Sequence, residues 1–231
     1  MKKQFNEVVI VGAVRTPIGA YKGVYKDIKA HSLGSVVIKE VLKRSNILQD
    51  EVDEVIMGQV LTAGSGQNPA RQAAISADIP ISKPAHIVNQ VCGSGLRAVI
   101  SGYQSIKLGE ITKVVTGGQE NMSIAPHSIL FRYGKKISED KLVDTMIYDG
   151  LIDAFNNYHM GVTAENVAEK FKITRETQDM FALNSQMKTQ IAINENKFDE
   201  EIVSINKNGN IIKKDEHPRM NLNISDLEKL K

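Results

Sequence analysis

Val88-Asn89-Gln90-Val91-Cys92-Gly93-Ser94-Gly95-Leu96 carries an apolar strand into a helix, with the only cysteine of the chain at the junction. Upstream, Ala85 to Val91 reads as a strand. Downstream, Ser94 to Leu108 reads as a helix, with Leu96, Val99, Ile100, Tyr103 and Ile106 spaced three to four residues apart as its buried face. The same alternation runs outward on both sides. Val8-Val9-Ile10-Val11 is a short β-branched run ending at Gly12, the pattern of a strand buried on both faces of a parallel sheet. A turn at Thr16-Pro17-Ile18-Gly19 leads to an amphipathic stretch with Leu33, Val36, Val37, Val41 and Leu42 at helical spacing. Further strands fit Glu54 to Gly58 and Lys113 to Thr116, and a helix fits Pro69 to about Ala77. Strand and helix alternating in this way predict an α/β domain with a mostly parallel sheet between helices.

After Asn121 the texture changes. The chain becomes more polar, with helical segments near Asp144 to Phe155, Ala164 to Phe171 and Arg175 to Glu195, the last with Thr174 as N-cap. Asn206-Lys207-Asn208-Gly209-Asn210 reads as a hairpin tip between Ile202-Val203 and Ile211-Ile212. The sequence therefore divides into 1–121, the α/β part, and 122–231, mainly helical.

With 231 residues and 42% hydrophobic content the chain can bury a sizeable core. Twenty-nine Lys+Arg against 27 Asp+Glu lack the basic excess that nucleic-acid binding needs. One cysteine allows neither an intrachain disulfide nor a Cys-x-x-Cys zinc site, which suits a reduced, cytoplasmic setting. The apolar run after Met1-Lys2-Lys3 stops at Arg15, too short for a signal sequence, and no stretch approaches the roughly 20 apolar residues that cross a bilayer. No membrane and no nucleic-acid partner is expected.

Cys92 falls at a helix N-terminus, where unpaired backbone N–H groups and the positive dipole end favour an anion, so a thiolate nucleophile is chemically reasonable there. Gly93 and Gly95 remove side-chain bulk, so that a thioester carbonyl could approach N–H donors. The bland alternative is a small inert core cysteine. Gly64-Ser65-Gly66 lacks the Lys-Ser/Thr of a phosphate loop, and Gly12 with Gly19 makes no dinucleotide fingerprint; both read as loops. His159 taken alone reads as a structural or surface histidine, and Arg219 as a solvated charge.

The run from Val88 to Ile106, with Asn-Gln-x-Cys-Gly-Ser-Gly-Leu-Arg-Ala, resembles the acyl-enzyme signature of the thiolase family. Val14-Arg15-Thr16-Pro17-Ile18-Gly19, Gly58-Gln59-Val60-Leu61, Gly66-Gln67-Asn68-Pro69-Ala70-Arg71-Gln72-Ala73, Gly117-Gly118-Gln119-Glu120-Asn121-Met122-Ser123 and Tyr158-His159-Met160-Gly161 are similar to thiolase segments in that family's order. Met160 to Asn166 is similar to the version in the acetyl-CoA acetyltransferase (acetoacetyl-CoA thiolase) branch. The resemblance implies a thiolase-like N-terminal domain over 1–121 and an inserted loop domain contacting coenzyme A over 122–231. It also implies that Cys92 is the catalytic nucleophile, that His159 and Met160 line the pantetheine channel, and that Arg219 meets the nucleotide end of coenzyme A.

Acyl transfer of this kind forms or thiolyses acetoacetyl-CoA from two acetyl-CoA molecules through a cysteine acyl-enzyme. No metal and no redox cofactor is implied, since the coenzyme A thioesters are substrates. The family places the remaining chemistry in a C-terminal duplicate domain, within Asn-Glu-Ala-Phe, Gly-His-Pro and Cys-Gly-Gly-Gly segments, and none of these occurs here. His217-Pro218, between Glu216 and Arg219, is not taken for the catalytic histidine. The C-terminal duplicate domain is thus expected to be absent, and 1–121 to lack its last strand and present an open sheet edge. Other readings are a degradative 3-ketoacyl-CoA thiolase, or a non-catalytic remnant or half-subunit that needs a separately encoded C-terminal partner. Homo-oligomers are implied for the family, with Leu61 to Gln72 in a dimer contact and a tetramerisation loop after Met122.

Overall fold

A computed structural model describes residues 7–131 and 142–230. The first helix, α1 (Ala30–Ser45), buries Leu33, Ile38 and Leu42 and stops at Asn46, whose left-handed backbone (φ 52°) closes the last turn. There follow β1 (Glu54–Gly58), α2 (Pro69–Ser76), β2 (Ala85–Val88), α3 (Ser94–Leu108) and β3 (Val114–Gly118). α2 begins as its sequence dictates, with Pro69 in the first turn and the Asn68 side chain accepting from the Arg71 N–H at 3.1 Å.

The three strands form one parallel sheet in the order β2-β1-β3, with Val55 against Ala85 and Val115, and Gly58 against Val88 and Gly118. Alternation along central β1 splits its side chains between the two layers. Val55 and Met57 join Ile38 and Leu42 of α1 and Ala70, Ala73 and Ala74 of α2 in the main core. Ile56 and Gly58 face the other way, toward α3.

Two expectations fail here. Val8–Val11 is not a buried strand: it is extended but joins no ladder, and Val9, Ile10 and Val11 are 65–79% exposed. No backbone group among the described residues pairs with it, although the Val11 carbonyl accepts from Ser45 Oγ at 3.5 Å, so Val9, Ile10 and Val11 stay in solvent. The face of α3 is also inverted. Ser94, Ala98 and Gly102 are the buried residues, while Leu96 (67%), Ile100 (38%) and Tyr103 (50%) are exposed and Val99 and Ile106 are half-buried. The reason is steric: a Cβ on Gly102 would lie 2.7 Å from a Thr116 methyl and 2.9 Å from a Val114 methyl. Only small residues allow the helix to sit this close to β3.

Beyond β3 a short antiparallel pair, β4 (His127–Ser128) with β5 (Val143–Asp144), precedes α4 (Thr145–Gly150), α5 (Met160–Phe171), α6 (Arg175–Asn194), the hairpin β6 (Ile205–Lys207) and β7 (Asn210–Ile212), and α7 (Ile224–Glu228). The helix expected up to Phe155 ends at Gly150, because Asp153 instead folds a turn, accepting from Phe155 N at 2.7 Å and Asn156 N at 3.1 Å. The hairpin turns on Asn208-Gly209, both with positive φ (51° and 88°), the backbone that a two-residue hairpin needs. Part of the expected tetramerisation loop after Met122 lies outside the described residues.

The hairpin is tied to the α/β part. Ile205 packs with Tyr25 and Leu33. Arg15 donates through Nε to Glu201 (2.6 Å) and through both terminal nitrogens to Asp215 (2.7 and 3.0 Å), and its guanidinium stacks on Phe198. Asp215 also accepts from the Ile18 N–H, and Glu216 accepts from the N–H groups of Ala20 and Val24.

Candidate active site

β2 ends at Val88, earlier than the sequence reading placed it, and Asn89–Val91 turn the chain back before α3 begins. Val91 has φ 48°, an outlier for a β-branched residue and a store of local strain. Four contacts hold it there. The Asn89 side chain accepts from Val91 N at 2.9 Å, Ser94 Oγ accepts from Gln90 N at 2.9 Å and donates to the Val91 carbonyl at 2.6 Å, and Gly93 N donates to the Gln90 carbonyl at 3.0 Å. Cys92 stands exposed on this turn, its thiol free. It lies beyond the carboxyl ends of parallel strands, where open α/β sheets bind their ligands.

The sheet shapes the site from below. A Cβ on Gly58 would meet the Ser94 carbonyl carbon at 2.4 Å and Gly95 N at 2.6 Å, and Gly118 beside it approaches Gly95. The two glycines pair in register at the ends of β1 and β3, leaving a seat for the first turn of α3. The N–H groups of Cys92, Gly95 and Leu96 have no acceptor among the described residues. They are available to an oxyanion.

Behind the turn, the Asn89 amide donates to the Val60 carbonyl at 3.4 Å, and Glu120 accepts from the N–H groups of Val60 (2.9 Å) and Leu61 (3.1 Å). Burial raises the pKa of the Glu120 carboxyl, against the lowering effect of those N–H groups. Gln119 and Gln59, both buried, share a 2.9 Å hydrogen bond next to it. Sequence reading overlooked Ser94, Gly58 and Glu120 as supports for the turn. A signal was available in Gly58 and Gly118, glycines at the ends of two apolar runs, but which elements they would face could not be read without the strand order.

The other candidates are held within the second half of the chain. His159 is the N-cap of α5, its Nδ1 accepting from Gly161 N at 3.0 Å, and Met160 opens the helix with 39% exposure. Arg219 is anchored through its backbone N–H to Gln186 of α6 at 2.8 Å, and its guanidinium makes no ion pair among the described residues. No hydrogen bond or ion pair joins Cys92, His159, Met160 and Arg219 to one another among the described residues. No group of three or more His, Cys, Asp or Glu side chains among them is placed to hold a metal ion. No helix there is long and apolar enough to cross a membrane.

Comparison with known proteins gives the family and the fold. Residues 8–231 match the family model described as thiolase, N-terminal domain. An acetyl-CoA acetyltransferase of Cupriavidus necator is 56% identical over 201 residues, covering 87% of this chain and 51% of that protein. The cytosolic acetyl-CoA acetyltransferase of Rattus norvegicus is 50% identical over 230 residues, covering 98% of this chain and 58% of that protein. The crystal structure of the Bacillus anthracis acetyl-CoA acetyltransferase superposes with a TM-score of 0.92 at 36% identity, over 98% of this chain and 59% of that one. The chain thus spans between one half and three fifths of the length of these relatives. On the family model, the relatives and the shared fold, the chain belongs to the thiolase family and has the fold of its N-terminal domain.

Proposed function

We propose that Cys92 is the acyl-accepting nucleophile of an acetyl-CoA acetyltransferase. Its thiolate attacks the thioester carbonyl of acetyl-CoA, the bond from that carbonyl to the coenzyme A sulfur breaks, and coenzyme A leaves as a thiol once protonated, with the acetyl group on Cys92. A second acetyl-CoA, deprotonated at its α-carbon, then attacks the acetyl carbonyl, the bond from that carbonyl to Cys92 Sγ breaks, and acetoacetyl-CoA leaves with the Cys92 thiolate restored; thiolysis is the reverse. The observation that carries the reading is the exposed thiol on a strained turn, with the N–H groups of Cys92, Gly95 and Leu96 unpaired beside it. Developing negative charge on a thioester oxygen meets fixed donors there.

The α-proton base and the histidine that activates Cys92 are assigned to polypeptide outside these 231 residues. His159 and Met160 are assigned to the pantetheine channel, and Arg219, whose guanidinium is uncommitted, to a phosphate of the nucleotide. The division at residue 121, a cytosolic setting and homo-oligomeric assembly belong to the same reading. The test is incubation with acetyl-CoA followed by intact-mass and peptide analysis. One acetyl group on the peptide containing Cys92, absent in Cys92→Ala, is expected. Unmodified Cys92, with and without a supplied C-terminal portion of a relative, would falsify the assignment.

A further inference from the structure

Asn208-Gly209, at the tip of the β6–β7 hairpin, is the one place in the chain where asparagine precedes glycine; every other asparagine is followed by a residue with a side chain. The pairing is reactive. A glycine nitrogen has no neighbouring Cβ to shield it, so it can reach the carboxamide carbon of the asparagine before it. Here both residues are exposed, a Cβ placed on Gly209 would meet nothing within 4 Å, and the Asn208 carboxamide makes no hydrogen bond among the described residues. One contact opposes the reaction. The Gly209 N–H, which must lose its proton before the nitrogen attacks, donates to Asn206 Oδ1 at 2.9 Å. The tip also stands next to the ties that hold the hairpin to the α/β part. Lys207 Nζ donates to the Val24 carbonyl at 2.9 Å and pairs with Asp27, and Ile205 packs with Tyr25 and Leu33.

We propose that Asn208 is a slow deamidation site and that Asn206 sets its rate by holding the Gly209 N–H. Gly209 N gives up its proton to water and bonds to Asn208 Cγ, the bond from Cγ to Nδ2 breaks, and ammonia leaves with that proton, closing a five-membered imide. Water then breaks one of the two bonds from Gly209 N to a carbonyl carbon. Breaking the bond to Cγ leaves aspartate; breaking the bond to the Asn208 main-chain carbonyl leaves isoaspartate, with the backbone rerouted through Cβ and Cγ. The overall change consumes one water, releases one ammonia and, once the new carboxyl ionises, lowers the formal net charge from +2 by one. The two products differ in their effect on the hairpin. Asp-Gly suits a two-residue turn as well as Asn-Gly does, so the aspartate form keeps Lys207 opposite Asn210. Isoaspartate adds a main-chain carbon to the turn, which breaks that register beside Lys207 and loosens its hold on Val24 and Asp27.

No step involves Cys92, so this reading and the acyl-transfer reading can fail separately. The test is to age the purified chain at mildly alkaline pH and to follow it by peptide mapping that separates asparagine, aspartate and isoaspartate. Conversion is expected at Asn208 ahead of every other asparagine. Asn206→Ala, which removes one hydrogen bond from Gly209 N, is expected to speed conversion about 3–10-fold, and Asn206→Asp, which keeps an acceptor, to restore the slow rate. Hydrogen exchange separates this from a general loosening: the β6 and β7 amides of fresh Asn206→Ala should exchange within about twofold of the unsubstituted chain. Aged chain rich in isoaspartate should exchange the same amides about 10-fold faster than Asn208→Asp, which carries the same charge on an ordinary backbone. The proposal is overturned if another asparagine converts first, or if Asn206→Ala converts at the unsubstituted rate. It is overturned equally if Asn206→Asp converts as fast as Asn206→Ala, if exchange in Asn206→Ala rises in proportion to its deamidation, or if aged chain and Asn208→Asp exchange alike.

Discussion

Cys92 owes its exposure to residues that do no chemistry. Val91 turns the wrong way for its type, Ser94 pins both sides of the turn, and Gly58 leaves a space where the helix begins. That space can be tested. Gly58→Ala puts a methyl group within 2.4 Å of the Ser94 carbonyl carbon, and backbone cannot yield as a flexible side chain can. A loss of about 1–3 kcal/mol is expected, seen as a lower denaturation midpoint. Because the displaced atoms carry the cysteine turn, alkylation of Cys92 by iodoacetamide should also change rate, whereas a destabilising core substitution such as Ile38→Val should leave that rate alone. Cys92 itself was legible in the sequence, since a thiol between an apolar run and a helix start is a local pattern. Its supports outside the motif were not, because they come from β1 and from Glu120, and adjacency between strands is not written in local spacing.

At the scale of elements, β1 and α3 occupy the residues read from the sequence, and α2 differs at one end by a residue. The orientation of α3 was misread. Its apolar stripe, Leu96 to Ile106, is the stronger signal by hydrophobicity, but close packing on β3 selects the stripe of small residues, Ser94, Ala98 and Gly102. Hydrophobic periodicity reports that a helix has a greasy face, and not whether that face meets its own sheet. The two assignments predict opposite outcomes. Leu96→Ser should change stability by no more than about 0.5 kcal/mol, the usual range for exposed positions. Gly102→Val should cost about 1–3 kcal/mol or more by forcing α3 away from Thr116 and Val114. Thermal or urea melts of the two variants decide it, and the reverse order would restore the sequence reading. Val8–Val11 teaches the same lesson: the residue types were those of a buried strand, but burial depends on partners that no local pattern supplies.

Across the whole molecule, α5 and α6 bury no residue, so the second half leans on the first through the hairpin and the Arg15 cluster. Burial alone would raise the Asp215 pKa, but the hydrogen bonds from Arg15 and Ile18 N outweigh it and hold the carboxyl below its usual value. The contribution of this group is therefore present above the unfolded carboxylate value of about 3.9 and is lost as pH falls through the lower folded value. Exchange at the Ile18 amide, corrected for intrinsic rate, should accelerate below about pH 4. Asp215→Asn should weaken the tie at neutral pH and flatten that dependence at Ile18. Tyr25, buried beside the cluster, has its pKa raised to about 12 by burial first and then by Asp215 and Glu216, so its contribution is present below the unfolded tyrosine value of about 10 and is lost as pH rises through the folded one.

The stretch Val8–Val11 also sets a timetable. It leaves the ribosome more than a hundred residues ahead of Val114–Gly118, which at ~5–20 residues per second is a delay of about 5–20 s. Throughout that interval a β-branched tetrapeptide has been made while Val114 and Thr116, which line the same groove as Val9 and Val11, have not. A segment this able to associate wrongly is thus made well ahead of the strand across the groove from it, and the yield of folded protein is expected to depend on what shields those four residues in the meantime.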